Sequence, residues 1–364
     1  MTGIRRVSQL GTTGESTYVD GSIQAVDIAA NVITQDKLST DIPLSGFRNV
    51  LINGDMRINQ RGGSYTLSGN YTLDRWYLGI NTSHTISQST STPPAGFQNF
   101  MRVQRTNGST NTTVPQIAQS LETSASIPLQ GKQVTVSFYA RAGANYSAAG
   151  NTFNWRIYGG TGTDQNSFSY TGSAIPVDQS VTLTTSWQRF TYTTSALTSY
   201  NEYAFFFYYA TTGTAGAADY VDITGVQLEV GPQATPFEQR PIGTELALCQ
   251  RYCTRLPAQG NTAAYGIFGA GIGRTASTTI VDFQIPLPTT MRATPTGADV
   301  FNVRAGDTGA GYTFSTFTLQ STESTPNCVS MSGGGGSGIT GYRPYFIQSN
   351  NNATGGYANF YAEL

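Results

Sequence analysis

The sequence predicts an all-β protein built from more than one β module. Strand-like segments recur between polar loops, the 364 residues include 41 glycines and 12% aromatic residues, and only 11% of the residues are charged. β-Branched and aromatic residues favour strands, whereas glycine, serine and asparagine favour turns. Disordered chains combine few aromatic residues with a high net charge. Here the formal net charge is −1 with 21 tyrosines, so we expect a folded chain of two or three domains.

The charge balance and the cysteines exclude several classes of partner and scaffold. Nucleic-acid binding needs an excess of basic residues, but 20 basic residues face 21 acidic ones. No run of about 18 apolar residues predicts a membrane helix, and residues 1–16 lack the apolar core of a secretory signal. Cys249, Cys253 and Cys328 form no disulfide framework. We expect free, mostly buried thiols in a chain made in a reducing cytoplasm.

The N-terminal region predicts an anchoring arm and a stem. Residues 1–20 are polar and rich in Gly, Ser and Thr, as in segments that order only against a partner. In the stem, residues 21–46, aliphatic side chains recur every five residues, a spacing that fits neither a helix nor a strand. They are Ile23, Ile28, Ile33 and Leu38. Such a thin chain cannot bury these side chains alone, so three copies wound about one axis, a homotrimer, are predicted. The alternative is a short amphipathic helix followed by a loop.

A two-sheet sandwich with jelly-roll topology is predicted for residues 47–241. The run Gln133–Ala140 alternates cleanly, so one of its faces should be buried and the other solvated. The run 204–209 is nearly all aromatic, as in a strand covered on both faces. Strands at this spacing are typical of sandwiches and jelly rolls. The strand candidates are 75–80, 100–105, 133–140, 153–158, 188–193 and 203–209.

The last strand of the sandwich is predicted at residues 219–230. Ile223 and Val226 point inward in an alternating pattern, and Gly225 between them shifts the register by one residue. This is the sequence signal of a β-bulge. A Gly-Pro pair then ends the strand.

One helix is predicted at residues 244–256, within a linker of residues 242–257. Thr244 is a suitable N-cap, Glu245 favours the positive end of the helix, and Pro257 ends it.

The remaining residues, 258–364, predict a C-terminal β-sandwich tip. Strands are expected at 278–287, at 312–319 and, as the closing strand, at 356–364. A flexible glycine loop is expected at 332–338.

Five motifs occur in order along residues 47–364. They are NVLINGDMRINQRG at 49–62, DRW at 74–76, VQLEVGPQATPF at 226–237, ELALCQRY at 245–252, and PLPTTMRATPT at 286–296 together with the final AEL. These motifs resemble those of bacteriophage tail fibre or receptor-binding proteins that carry a carbohydrate-binding-like jelly-roll module. The stem also resembles the repeated segments of trimeric phage fibres.

The resemblance implies a virion protein that adheres to the host cell surface by multivalent glycan binding. Its N-terminus would dock on other tail or virion proteins, and the chain would be made in the host cytoplasm and released by lysis. Several weak sites in one particle raise avidity without a tight single site. Related carbohydrate modules often hold calcium between their first and last strands, which would make Asp55 and Asp222 calcium ligands. Calcium takes six or more oxygen ligands, and no other cofactor is expected.

The sequence carries no recognisable catalytic set, so no enzyme is predicted. His84 is the only histidine, no nucleophile-elbow motif accompanies it, and we interpret it as a structural residue. Asp74 and Arg75 predict an ion pair at a strand start. Two alternatives remain open. One is a glycan-degrading tailspike, which needs paired carboxylates. The other is a purely structural tail, baseplate or head-decoration protein.

Glycan binding needs exposed aromatic rings that stack on sugars and polar side chains that bond hydroxyls. For each ring taken alone, packing in the core or in the trimer is the alternative role. The candidates are Trp76, Tyr77, Trp155, Tyr158, Tyr170, Tyr200 and Tyr203 in the sandwich, and Tyr312, Tyr342, Tyr345 and Tyr357 in the tip.

Overall fold

A computed structural model describes residues 46–66, 68–80, 83–257, 265–274, 277–307, 310–350 and 355–364. The predicted arm (1–20) and the stem side chains Ile23, Ile28, Ile33 and Leu38 lie outside the described residues, so the homotrimer stays a prediction. Phe47–Leu364 form one compact unit. In these ranges, no helix has the length and apolar character needed to cross a bilayer.

The first part of this unit is a sandwich of two six-stranded antiparallel sheets, which confirms the predicted β-sandwich. Sheet A has the strand order β1-β4-β5-β12-β7-β10, and sheet B has the order β2-β3-β6-β11-β8-β9. The strands are β1 Ser64–Tyr65, β2 Asn70–Tyr71, β3 Tyr77–Ile80, β4 His84–Ser89, β5 Phe100–Arg105, β6 Gln116–Ser120, β7 Gln133–Ala142, β8 Thr152–Gly160, β9 Ala174–Thr182, β10 Gln188–Ala196, β11 Glu202–Tyr208 and β12 Tyr220–Val230, with a one-turn helix α1 at Thr123–Ser126. Short 3-10 turns occupy Ile127–Leu129, Ala149–Asn151 and Ser167–Ser169.

The core of the sandwich is aromatic. Strand β11 lies between β6 and β8 and is buried over nearly all its length, as its run of aromatic residues predicts. The Phe207 ring stacks on Phe153 with centroids 5.2 Å apart and meets Phe138 edge-on at 5.1 Å. Truncating such a buried Phe to Ala costs about 3–5 kcal/mol, so this cluster is a main source of the sandwich's stability.

Strand β12 runs between β5 and β7, and its pairing shifts between Thr224 and Gln227. Gly225 has φ +62° at this shift, which confirms the predicted bulge. A Cβ at this position would lie 2.6 Å from the Phe97 ring, so close packing also requires glycine there.

The linker helix is shorter than the sequence predicts. Helix α2 spans Ile242–Gln250, with Pro241 at its N-cap position, and residues Cys253–Leu256 form strand β13 instead of further helical turns. Strand β13 pairs with the closing strand, so tertiary pairing overrides the local helical pattern. Cys249 and Cys253 are buried free thiols, but they do not share a helix.

Two further antiparallel sheets complete the unit. Sheet C has the order β13-β22-β16, and sheet D has the order β18-β17-β21-β14-β15-β20-β19. The strands are β14 Ile267–Gly273, β15 Val281–Pro286, β16 Gly297–Phe301, β17 Val303–Gly306, β18 Gly311–Thr313, β19 Thr316–Leu319, β20 Cys328–Gly334, β21 Pro344–Ser349 and β22 Tyr357–Tyr361, with a 3-10 turn at Ser321–Glu323.

Two sequence expectations for this region are wrong. The segment 312–319 forms two strands, β18 and β19, at opposite edges of sheet D. Only Phe314 and Ser315 join them, so sheet D must curl until its edges lie within about 10 Å of each other. The expected glycine loop begins inside strand β20, where Gly333 and Gly334 pair with β15 and β19.

Buried charges join the sandwich to the C-terminal sheets. Glu363 accepts from Arg61 at 2.5 Å and from Arg75 at 2.8 Å. The Arg75 guanidinium is buried, lies 3.5 Å from the centre of the Tyr252 ring and donates to a backbone carbonyl at 2.6 Å. The predicted Asp74–Arg75 pair is therefore wrong, since Asp74 accepts from Gln60 and Arg75 bonds Glu363.

Candidate functional site

A cleft of about 680 Å³ opens between the β1–β2 segment of the sandwich and sheet C. We call it the tyrosine cleft. Its rings are Tyr65, Tyr71, Tyr77, Tyr357 and Tyr361, and its main polar side chains are Arg61, Asn70, Asp299, Asn359 and Glu363. The volume lies within the range of small-molecule and cofactor sites, which hold a few polar groups among apolar and aromatic walls.

One wall of the cleft is formed by alternate residues of β22. Tyr357, Asn359 and Tyr361 line the cleft, whereas Ala358 and Phe360 between them are fully buried in the C-terminal core. Successive side chains of a strand point to opposite faces, so residues two apart share one face. The closing strand thus places two tyrosines and an asparagine along the same wall.

The opposite wall is held in place by Arg61. Its guanidinium lies 5.4 Å from the centre of the Tyr71 ring and 5.1 Å from that of Tyr361, while it bonds Glu363. Tyr71 meets Tyr77 edge-on with centroids 4.9 Å apart. Because the arginine is both stacked and ion-paired, the rings on the two walls are fixed before any ligand enters.

Phenol hydroxyls in the cleft are tied to the protein. The Tyr65 hydroxyl donates to the Gly62 carbonyl at 2.6 Å, and the Tyr71 hydroxyl donates to the Leu364 carbonyl at 3.0 Å. These bonds fix the orientation of the two rings, which line the cleft with their carbon surfaces.

The tyrosines of the cleft stay neutral over the physiological range. Burial raises the pKa of Tyr361 to about 12 and raises the pKa values of Tyr65 and Tyr71 further. Desolvation also raises the pKa of Tyr77 and of Tyr357. A ligand therefore meets uncharged aromatic surfaces.

Asn359 forms the middle of the β22 wall of the cleft. It lies between Arg255 of β13 and Asp299 of β16 in the register of sheet C. Its side chain is 1% exposed, and its carboxamide oxygen has no hydrogen-bond partner among the described residues. A buried acceptor without a partner costs about 1–3 kcal/mol, and this oxygen lies beneath the surface of the cleft, out of direct reach of a ligand hydroxyl.

An aromatic strip continues from the cleft along the outer face of sheet B. The Tyr77 ring lies 5.4 Å from Phe168, which lies 5.2 Å from Phe206. Phe206 packs beneath Tyr158 at 4.7 Å, and the Arg156 guanidinium lies 4.6 Å from the Tyr158 ring. Tyr77 therefore belongs to both surfaces and joins them.

The structure separates the rings proposed from the sequence into three groups. Five are buried at 8% exposure or less, because they pack into the hydrophobic clusters of the fold. They present no face to a ligand, which corrects their prediction as sugar-binding residues. These are Trp76, Trp155, Tyr170, Tyr203 and Tyr345. Five are partly buried, namely Tyr77, Tyr158, Tyr200, Tyr312 and Tyr357. Tyr342 is 70% exposed but does not line the tyrosine cleft.

Two of these rings come together from separate predicted modules. Tyr77 of the sandwich and Tyr357 of the tip line the same cleft, and Tyr158 lies on the strip that adjoins it. Tyr200 instead packs against Gly159, where its ring fills the space that a Cβ would occupy. Tyr312 meets the buried Tyr345 edge-on at 5.4 Å.

Sequence reasoning missed several residues of the cleft. Tyr65 and Tyr71 lie on strands of only two residues, which are too short to show a period. Asn359 and Tyr361 could have been found, because they continue the alternation that begins at Tyr357.

The carboxylates proposed as calcium ligands have arginine partners. Asp222 is fully buried and bonds Arg102 at 2.7 and 2.8 Å and Arg141 at 2.9 Å. Asp55 pairs with Arg57. Because these arginines neutralise both carboxylates, the structure corrects their prediction as calcium ligands. Within the described ranges, no group of three or more His, Cys, Asp or Glu side chains could hold a metal ion.

His84 lies in the core of the sandwich, as expected of a structural residue. It is 1% exposed and packs edge-on against Tyr209, with ring centroids 5.7 Å apart. Burial and the nearby Arg105 lower its pKa to about 4, so its imidazole is neutral near pH 7.

Comparison with known proteins gives structural neighbours only. No protein-family model matches the sequence, and no curated protein matches it. Among solved structures, a CBM4 protein is 18% identical with a TM-score of 0.32, covering 49% of this chain and 98% of its own. The CBM22-1 xylan-binding domain from Paenibacillus barcinonensis is 13% identical with a TM-score of 0.31, covering 51% and 96%. The enzymatically active domain of tailspike protein 4 of bacteriophage CBA120 is 11% identical with a TM-score of 0.32, covering 50% and 22%.

Proposed function

We propose that this chain binds a glycan in the tyrosine cleft and so attaches a phage particle to the surface of its host. The observation that carries the proposal is the convergence of five tyrosines with Asn70, Asp299 and Asn359 in one preformed cleft. Sugars present apolar C–H faces and a rim of hydroxyls, which match neutral rings and short polar side chains.

The binding mode follows from how the residues are held. A sugar ring would stack against Tyr77 or Tyr357, whose rings are partly exposed. Its hydroxyls would donate to the exposed carboxylate of Asp299. Since Arg61 and the hydrogen-bonded phenols already fix the walls, little side-chain entropy is lost on binding.

Weak single sites fit an adhesion role when several act together. In the proposed homotrimer each chain contributes one tyrosine cleft, and several fibres on one virion multiply the effect. The N-terminal arm would dock the fibre on another tail or virion protein. The chain would be made in the host cytoplasm and released by lysis.

The test is a glycan array probed with the full chain and then with Tyr77→Ala and Tyr357→Ala. Each loses one stacking surface, and we expect affinity for the bound glycan to fall by about 2 kcal/mol, or roughly 30-fold. Tyr357→Phe keeps the ring and should retain most of the affinity. Tyr342→Ala is the matched control, because Tyr342 is exposed outside the cleft.

Three results would contradict the proposal. The first is an array on which the wild-type chain binds no glycan. The second is binding that survives both cleft substitutions but is lost in Tyr342→Ala. The third is release of reducing ends from the bound glycan, which would replace adhesion by hydrolysis.

A further inference from the structure

A second and larger cavity lies on the outer face of sheet D. Its volume is about 1080 Å³, and strands β14, β15, β20 and β21 supply most of its lining. We call it the sheet D cavity. None of its lining residues belongs to the tyrosine cleft.

One half of the cavity is apolar and open to solvent. Ile267 is 57% exposed, Ile272 is 48% exposed and Phe346 is 44% exposed. Ala270 pairs with Phe346 across β14 and β21. The Phe346 ring therefore lies beside β14, the strand that carries Ile267 and Ile272. Exposed apolar side chains that line a concave surface are typical of ligand-binding sites.

The other half carries hydrogen-bonding groups in register with the apolar half. Ala270 pairs with Gln284, and Gln284 pairs with Ser330 across β15 and β20. Ile272 likewise pairs with Asp282. Neighbouring strands lie about 4.8 Å apart, so polar groups begin one strand away from the apolar floor.

The charges of the cavity are already paired within the chain. Arg274 donates to both oxygens of Asp282, at 2.8 and 2.7 Å, and Ser332 donates to the same carboxylate at 2.6 Å. Glu323 adds a second carboxylate and accepts from Ser330 at 3.1 Å. One arginine against two carboxylates gives the lining a net charge of −1, which disfavours an anionic ligand.

We propose that the sheet D cavity is a second saccharide site and that it takes a neutral oligosaccharide. An apolar floor beside a row of hydrogen-bonding side chains matches the C–H face and the hydroxyl edge of a sugar chain. The inference rests on the proposed function for the class of ligand, but it uses separate residues. A chain with two sites can engage two points of one polysaccharide, which raises its effective affinity.

A second copy of this chain is the other possible occupant. The centre of an interface between copies is depleted of charged groups and largely apolar. Here the Arg274–Asp282 pair and Gln284 adjoin the apolar floor directly. A saccharide therefore fits this lining, half apolar and half polar, better than a second copy of the chain does.

The experiment uses a glycan array of neutral and acidic oligosaccharides, followed by calorimetric titration with the strongest neutral hit. Wild-type chain should bind two ligands per chain. Phe346→Ala and Gln284→Ala should each reduce this to one ligand, with at least a tenfold loss at the affected site. Tyr357→Ala should also reduce it to one by removing the other site, and the double variant Phe346→Ala with Tyr357→Ala should bind none. Thermal melting checks that each variant folds.

The outcomes separate the two proposals. One ligand per chain, lost in Tyr357→Ala and unaffected by Phe346→Ala, would overturn the sheet D site and keep the tyrosine cleft. Binding of acidic glycans that depends on Phe346 would overturn the assignment of a neutral ligand. A smaller particle mass for Phe346→Ala in light scattering, with unchanged glycan binding, would show that a second copy covers the cavity. An array without any bound glycan would overturn both proposals.

Discussion

Replacing Glu363 by alanine should destabilise the protein strongly, because one carboxylate serves two buried arginines. Its side chain is 9% exposed, and those of Arg61 and Arg75 are 9% and 1% exposed. Removing one partner of a buried ion pair costs about 3–5 kcal/mol, since the other charge stays buried and unpaired. Arg75 keeps its bond to the Ser120 carbonyl and its place over Tyr252, so we expect the loss to stay within that range.

Urea denaturation followed by two signals measures both the size and the place of this loss. The three tryptophans, Trp76, Trp155 and Trp187, all lie in the sandwich, so fluorescence reports that part alone. Far-UV circular dichroism reports all four sheets. Glu363 joins the closing strand region to the sandwich, so in Glu363→Ala the dichroism transition should begin at lower urea than the fluorescence transition.

The control is Glu323→Ala, which removes an exposed carboxylate of the same unit. Its stability should stay within about 0.5 kcal/mol of wild type, as is usual for surface substitutions. A loss below about 1 kcal/mol in Glu363→Ala, with coincident transitions, would refute the argument that this carboxylate couples the sandwich to the C-terminal sheets.

Two further predictions concern the sandwich. The pKa of His84 is about 4 in the folded chain against 6.5 in the unfolded one, so the unfolded state alone takes up the proton as pH falls from 6.5 to 4. Stability should therefore decrease by about 3 kcal/mol over this window, and the decrease should be absent from His84→Gln when unfolding is compared at pH 7 and pH 4. Equal pH slopes in both proteins would exclude this role. Gly225→Ala should lose about 2–4 kcal/mol in urea unfolding, because it combines a left-handed backbone with contact to Phe97. The control Gly213→Ala has φ +57° in open space and should lose only about 1–2 kcal/mol, and equal losses would rule out the contact.

The local β pattern could be predicted where a strand is long and has one consistent environment. Phe100–Arg105 is a strand as expected, and the bulge at Gly225 follows from glycine in an alternating run. The predicted helix is too long, because nothing local in Cys253–Leu256 shows that these residues pair with β22. Pairing between distant segments decided their structure.

The candidate site could be predicted only in part, since it is formed by distant segments. The sequence predicts both Tyr77 and Tyr357 as ligand-binding rings, but only the fold places them in one cleft. Trp76 is the immediate neighbour of Tyr77 and points the opposite way, into the core. A pattern of period two shows that neighbours face apart, but it does not show which of two faces is buried when both carry aromatic residues.

The position of β12 sets the order in which the sandwich can assemble during synthesis. This strand comes last in the sandwich sequence, yet it lies between β5 and β7 in the middle of sheet A. The stretch from Arg105 to Val230 takes the ribosome roughly 6–25 s at about 5–20 residues per second. Throughout that interval the inner edge of β5 has no partner strand, and the inner edge of β7 joins it once Ala142 has been made. Both edges could pair with a neighbouring nascent chain. A cell that makes many copies on one polysome would therefore have to keep these edges apart until Val230 has emerged.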